Sequence, residues 1–210
     1  GATAIDSDGR KLAIALRMEG DKMEIRVPGA WVDAAVFPIL VDPLVSPPFQ
    51  TSSDARDERY PALAHDSLNN RWCAVWERKM GGPDHDVYAQ LLEADGTPFG
   101  APVAVAASAD NERFPKVAFS ADSARFIFVW EHKDKDVRAR VFDAELTPLG
   151  PGFFVDNARR GTSREPDVAW RSVGDHFCVI WTETALPGPG RDLIAELLDA
   201  SGGVVRDDVV

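Results

Sequence analysis

Three stretches of the chain gather side chains that could do chemistry. Residues 77–86 read ERKMGGPDHD, residues 131–135 read EHKDK, and residues 182–191 read TETALPGPGR. The first sets Asp84, His85 and Asp86 side by side, with His65 upstream. The second sets His132, Lys133 and Asp134 together. Imidazole and carboxylate in one loop are the donors of a metal site or the partners of acid–base catalysis. Adjacent residues of an extended segment point to opposite sides, however, so three consecutive side chains do not share one ion. A solvated turn is the stronger reading.

Other chemistry is weaker still. Asp6-Ser7-Asp8-Gly9 opens like a D-x-D-x-D-G calcium loop but lacks the third acidic position and the distal glutamate, which leaves a tight hairpin turn. Calcium therefore stands without a specific motif, and no cofactor is predicted. No G-x-S-x-G, H-E-x-x-H or P-loop run occurs, and each of those motifs is what its reaction requires. Paired carboxylates of the glycosidase kind stay open in so acidic a chain, with no pair singled out.

The 210 residues carry 34 acidic and 23 basic side chains, for a net charge of −11. That balance argues against nucleic acid, because nothing here would neutralise a row of phosphates. It also argues against anionic membrane surfaces, and no apolar run is long enough for membrane insertion. The chain starts at Gly1 rather than Met, which reads as a processed product or a piece of a longer polypeptide. Cys73 and Cys178 make neither a disulfide framework nor a Cys-x-x-Cys metal site. Each stands three residues before a tryptophan, as a small apolar core residue.

The elements that position these loops are repeated. RYPALAH (59–65), RFPKVAF (113–119) and REPDVAW (164–170) align, with Pro61, Pro115 and Pro166 at intervals of 54 and 51 residues. Trp76, Trp130 and Trp181 keep the same 54 and 51, each closing an apolar strand: WCAVW, FIFVW and FCVIW. After the variable loop comes DVYAQLLE, DVRARVFD or DLIAELLD, then a turn (DGTPFG, ELTPLG or ASGG) and a fourth short strand. Four strands in about fifty residues, repeated and stacked, describe a β-propeller blade. The predicted fold is all-β: three four-stranded antiparallel propeller-like blades (58–111, 112–162 and 163–210), a partial propeller. A short N-terminal β segment (1–45) and a Pro/Ser-rich linker (46–57) precede them. Propellers close with about four to eight blades. Other parts of the same polypeptide, or other subunits, are thus expected to complete the ring.

Within this frame the tryptophan column reads as core rather than as a sugar-stacking platform. Arg59, Arg113 and Arg164 before the prolines, with Glu77, Glu131 and Glu183 after the tryptophans, read as ion pairs or hydrogen bonds stitching blades. Asp86, Asp136 and Asp192 are expected to accept backbone N–H groups of the preceding turn.

The run W-E…D-V-Y-A-Q-L-L-E-A-D-G-T-P-F-G…F-P-K-V-A…F-V-W resembles the repeats of large bacterial secreted and surface proteins, adhesin-like and often associated with hemolysin-type calcium repeats. AWVDAAVFPILVDP (30–43) is similar to a passage of bacterial wall-associated and Rhs-like surface proteins. The resemblance implies an extracellular or cell-surface β-protein with adhesive or scaffolding work, and it implies no catalytic residue. This chain lacks the G-G-x-G-x-D nonapeptides of those relatives.

The expectation is a non-catalytic binding or structural module making protein or glycan contacts. The connections between second and third strands vary while the strands stay regular, so specificity is assigned to them. The candidate residues are Asp84, His85, His132, Lys133 and Asp134. The alternative is a fragment of a propeller-type polysaccharide-acting enzyme, a glycoside hydrolase or lyase.

Overall fold

The structure, a computed structural model, describes residues 2–19, 22–43, 50–155, 161–184 and 190–205. The Gly20-Asp21 turn, linker positions 44–49, the tip of the third variable loop (185–189) and the final residues 206–210 lie outside them. The chain divides into two compact units, Gly1–Pro48 and Phe49–Val210.

The first unit holds β1 (Ala2–Ile5), β2 (Lys11–Ile14), β3 (Leu16–Glu19), β4 (Lys22–Ile25), α1 (Gly29–Asp33) and β5 (Leu40–Pro43). β1, at the very start of the chain, lies between β2 and β5, antiparallel to both, and β3 pairs only with β4. Residues 10–17, which alternate like one strand, are therefore two. Ile14 ends the β1–β2 pairing opposite Ala2, and Leu16 begins a second pairing opposite Ile25. The Asp6–Gly9 stretch is a hairpin turn. The Asp6 carboxylate accepts the Arg10 N–H at 2.8 Å, its carbonyl accepts that of Gly9 at 2.9 Å, and Gly9 sits at φ +81°.

The second unit is a stack of antiparallel sheets in sequential strand order. The first blade is β6 (Glu58–Asp66), β7 (Arg71–Gly81), β8 (Asp84–Leu92) and β9 (Pro98–Ala106). The second is β10 (Glu112–Ser120), β11 (Arg125–His132), β12 (Asp136–Asp143) and the two-residue β13 (Phe153–Phe154). The third is β14 (Ser163–Arg171), β15 (His176–Thr184) and β16 (Arg191–Asp199), with a single bridge, Leu198 to Val204, where a fourth strand would start. β10 lies between β6 and β14, so the first strand of each blade is the inner one. The fold is a partial β-propeller whose sheets do not close.

Face-to-face packing of blades makes the core. Phe126, Phe128 and Trp130 of β11 pack toward the first blade, on Cys73, Val75 and Val87. Ile127 and Val129, pointing the other way, pack toward Phe177, Val179 and Trp181 of the third. A strand apolar on both faces is what such a sandwiched position requires. Trp76, Trp130 and Trp181 are 5%, 2% and 1% exposed. Cys73 is buried, Cys178 half-buried, and both are free; burial pushes the Cys73 thiol up. The arginines of β12 reach the outer edge, where Arg138 Nη2 donates to Gly152 O and Arg140 Nε to Gly150 O, both at 2.9 Å.

Trp130→Ala removes a large ring from the middle of this stack. The expected loss is about 3–5 kcal/mol, the scale of buried aromatic truncation; denaturant unfolding checks it, and an unchanged midpoint would contradict the core assignment.

Candidate functional site

The repeated prolines build a common irregularity. Proline cannot donate to a ladder and is rare in central strands except at bulges. Here the register of each inner strand slips between Arg59 and Ala62, Arg113 and Lys116, and Arg164 and Asp167. The residue before each proline takes a left-handed conformation: Tyr60 at φ 52°, Phe114 at 51° and Glu165 at 55°. Non-glycine residues pay on the order of 1 kcal/mol or more for that geometry and keep it only when their surroundings enforce it.

For Phe114 and Glu165 those surroundings come from the preceding blade. Glu77, 1% exposed, accepts the Phe114 N–H on Oε2 at 3.3 Å, and Arg113 Nε lies 3.4 Å from the same oxygen. Glu131, also 1% exposed, accepts the Glu165 N–H on Oε1 at 2.6 Å. Burial raises the Glu131 carboxyl pKa, and the Glu165 N–H and Arg164 charge oppose that. The repeated acids thus stitch between blades, from one blade's second strand to the next blade's bulge. In the third unit Thr182, not Glu183, occupies the equivalent place: it pairs with Arg164 as Glu77 pairs with Arg59 and Glu131 with Arg113.

The three bulges converge on one cleft. Tyr60, Pro61, Phe114, Lys116, Glu165 and Asp167 line a cavity of about 450 Å³ at the inner strands. Tyr60 and Phe114 meet edge to face at a centroid distance of 4.4 Å, with the Arg113 guanidinium 4.7 Å from the Phe114 ring. Tyr60 is 45% exposed, so its ring is open to a ligand. Glu165 accepts the Thr182 hydroxyl on Oε2 at 3.2 Å. Apolar faces, two carboxylates and an ammonium in one concave site can stack on a ring and hydrogen-bond its substituents. Reading the variable loops alone misses these residues. Their signal is the one non-repeating letter inside a repeating phrase, R-Y-P, R-F-P and R-E-P, next to a proline that forces a bulge.

The loop residues lie at the bulge ends of the inner strands, where Glu58 pairs with Arg78 and Glu112 with His132. Asn111 links two of the loops. His85 Nδ1 donates to Asn111 Oδ1 at 2.9 Å, and Asn111 Nδ2 donates to Asp134 Oδ2 at 3.0 Å. The Asp134 carbonyl accepts Arg164 Nη2 at 3.0 Å, and Lys133 Nζ lies 3.0 Å from Asp110. His132 is buried, its Nδ1 3.4 Å from Glu112 Oε1. Asp84 begins β8 half-buried, near Asp86, whose carboxylate is bonded by the Ser108 N–H in the bend after the outer strand rather than by the preceding turn. His85 and Asp134 are therefore brought together through Asn111, while His132 belongs with Glu112.

Around Glu112 the field is acidic. Glu112 is 2% exposed, and burial, with Asp86, Asp110 and Asp84 nearby, raises its pKa from 4.5 to about 7, against a hydrogen bond from Ser108. Burial also raises Asp86, then the charge of Asp84, and burial lowers His132. Among the described residues no three histidines, cysteines or acids are arranged to hold a metal ion. No helix among them is long and apolar enough to cross a membrane.

The sequence matches no protein-family model and no curated protein. Solved structures do match. An N-acetylgalactosamine deacetylase from F. plautii, in complex with blood group B trisaccharide, superimposes on 72% of this chain with a TM-score of 0.53 at 13% identity. This chain spans 52%, about half, of that protein's length. An endo-arabinase from Bacteroides thetaiotaomicron is similar over 98% of this chain and 74% of its own, at 14% identity and a TM-score of 0.48. The ectodomain of the parainfluenza virus 5 hemagglutinin-neuraminidase is similar over 70% and 34%, at 10% identity and a TM-score of 0.48. The likeness to the deacetylase is one of fold.

Glu112 generates a pH dependence. Its folded pKa of about 7 lies above 4.5, so between those values the folded protein holds a proton that the unfolded chain has released. The stability tied to this group is complete below 4.5 and is lost as pH rises toward 7. Glu112→Gln cannot ionise. Relative to the parent it should be more stable at pH 8 than at pH 5, by up to roughly 3 kcal/mol. Thermal melts at both pH values measure the difference, and an equal difference at both would refute it.

Proposed function

We propose that this chain contacts glycans through the inner-strand cleft, as part of a carbohydrate-active propeller working outside the cell. The carrying observation is the composition of the cleft: the Tyr60–Phe114 pair, with Lys116, Glu165 and Asp167, around about 450 Å³. That volume falls within the range of small-molecule sites. Saccharides present C–H faces for aromatic rings and hydroxyls for carboxylates, and the cleft offers both. The fold likeness to a deacetylase solved with a trisaccharide supports a carbohydrate setting. The extracellular reading rests on the resemblance of the repeat phrase to those of secreted and surface proteins. The loops carrying His85, Lys133 and Asp134 would form the rim.

Catalysis is the second reading, and Glu165 with Asp167 favours it. Paired carboxylates act on glycosidic bonds at separations of roughly 5–9.5 Å. Glu165 and Asp167 both come from β14, on the two sides of the Pro166 bulge, and both line the cleft.

A panel of immobilised polysaccharides and oligosaccharides tests the reading. The parent chain should bind a subset, and Tyr60→Ala should weaken that binding about tenfold or more, the effect of losing roughly 1.4 kcal/mol. Glu165→Gln that binds but no longer releases reducing ends from a substrate the parent degrades would establish the enzyme. Binding unaffected by both substitutions would remove the cleft from consideration.

A further inference from the structure

A small cavity between the first and second blades holds polar groups that nothing in the chain satisfies. Its volume is about 130 Å³, and Val105, Ser108, Glu112, Trp130, Arg138 and Arg140 line it. Ala107 and Ser108, both exposed, open it to solvent. Trp130 and Glu112 are each 2% exposed. Trp130 Nε1, Arg138 Nε and Glu112 Oε2 are buried there without a hydrogen-bond partner. Buried polar groups are nearly always paired, so three orphans around one cavity call for an occupant.

The first blade shows which partner is missing. There Trp76 Nε1 donates to Glu58 Oε1 at 2.8 Å, and Arg78 Nε and Nη2 donate to the same oxygen at 3.0 and 2.8 Å. Glu112 and Trp130 are the repeat equivalents of Glu58 and Trp76. Arg78 and Tyr88 give way to His132 and Arg138, so the guanidinium moves from the second strand to the third. Glu112 Oε1 accepts the Ser108 hydroxyl at 2.6 Å, and no indole N–H reaches the carboxylate. Indole and guanidinium therefore stand without the carboxylate that joins them in the first blade. Among the described residues Arg138 and Arg140 donate to the carbonyls of Gly152, Gly150 and Val105 and to no carboxylate. Two guanidinium charges left unpaired in a chain of net charge −11 favour an anion from outside.

We infer that this cavity binds a carboxylate, which accepts the Trp130 indole N–H and the Arg138 Nε–H. Its volume is well below the roughly 300–1,000 Å³ of drug-sized sites. The occupant is thus a small free carboxylate or the acidic group of a larger molecule, such as a uronic-acid glycan, seated at the mouth; only the second form rests on the glycan reading above. The cavity shares no lining residue with the inner-strand cleft. Glu112 completes the site as an acid. Facing it are Asp84 and Asp86 of β8, Ser108 and Asp110 ahead of β10, His132 of β11, and Arg138 and Arg140 of β12 across the cavity. Burial, with the nearby acids, pushes its carboxyl up to about 7. At pH 6 it holds a proton and donates to the anion; at pH 8 it is ionised and repels it. Its protonated fraction falls about tenfold between those values, and the affinity for a carboxylate falls with it.

Titration of the 210-residue chain with sodium acetate, followed by NMR of the Trp130 indole N–H, tests this. That resonance is the indole signal absent from Trp130→Phe. At pH 6 acetate should shift it saturably, an equal concentration of sodium chloride should not, and at pH 8 the affinity should be about tenfold lower. Glu112→Gln should bind equally at the two pH values. Arg138→Gln should weaken binding about tenfold or more, and Arg171→Gln, exposed on the third blade, should bind like the parent. Near-UV circular dichroism checks that each variant is folded, and Arg138→Lys, which loses the Nε donor, replaces Arg138→Gln if that variant is not. D-Glucuronate separates the two sources, with D-glucose as its uncharged control. Glucuronate binding as acetate does assigns the acidic group of a glycan, and acetate binding alone assigns a free carboxylate. An indole resonance indifferent to both carboxylates would overturn the inference, as would an equal shift with chloride, equal affinity of the parent at the two pH values, or Arg138→Gln binding like the parent.

Discussion

The second unit depends on one constraint: β11 is apolar on both faces and cannot be satisfied by a single sheet. Phe126, Phe128 and Trp130 need one neighbour, and Ile127 and Val129 need another. Burying a side chain of this size is worth about 1.5–3 kcal/mol, and a two-sided strand gains it twice along its length. Nothing about the ladder of hydrogen bonds within one sheet supplies that. The blade is therefore not an independent folding unit. Its partner faces are written into the flanking repeats at matching positions, which is why the period of the sequence is also the period of the structure.

A second constraint rests on the first. Once the blades stack, the acid after each tryptophan is carried into the next blade's inner strand. There Glu77 and Glu131 meet N–H groups that the bulge has removed from their ladder. An unpaired buried N–H costs about 1–3 kcal/mol, and a buried carboxylate without donors costs more. Each defect answers the other. At Phe114 and Glu165 the left-handed backbone before proline is tolerable because a carboxylate holds its N–H. The carboxylate is tolerable at 1% exposure because the bulge and its arginine face it.

The repeated parts were legible in the sequence, and the reason is physical. Strand alternation, paired-face hydrophobicity and turn residues are local or periodic, so FIFVW, DVRARVF and ELTPLG could be placed without coordinates. Residues 10–17 alternate like one strand, but alternation reports a strand's faces and not its partner; the pairing of Ile14 with Ala2 and of Leu16 with Ile25 shows the break. The cleft was harder. Tyr60, Phe114 and Glu165 sit inside the most regular phrase of the repeat, where variation looks like noise. Their common role comes from three bulges meeting across three blades. The loops promised more than they hold as open chemistry, because the Asn111 side chain joins His85 and Asp134 to each other.

Core and cleft use different letters of the same phrase. In R-Y-P-A-L-A, R-F-P-K-V-A and R-E-P-D-V-A, the proline sets the bulge, and the final alanine of the first two, Ala64 and Ala118, packs in a blade junction. The residue before each proline faces the cavity, as does the residue after it in the second and third phrases. Ala62 is in contact with the first core cluster, whereas Lys116 and Asp167 at the same position line the cleft. Substitution of Lys116 or Asp167 changes the polarity of the site and leaves the residues of the two core clusters as they are. The bulge residue does structural work through its backbone N–H, which a glutamate of the preceding blade holds at Phe114 and Glu165. A propeller made this way can diversify its recognition of ligands blade by blade while the packing that holds it together stays fixed.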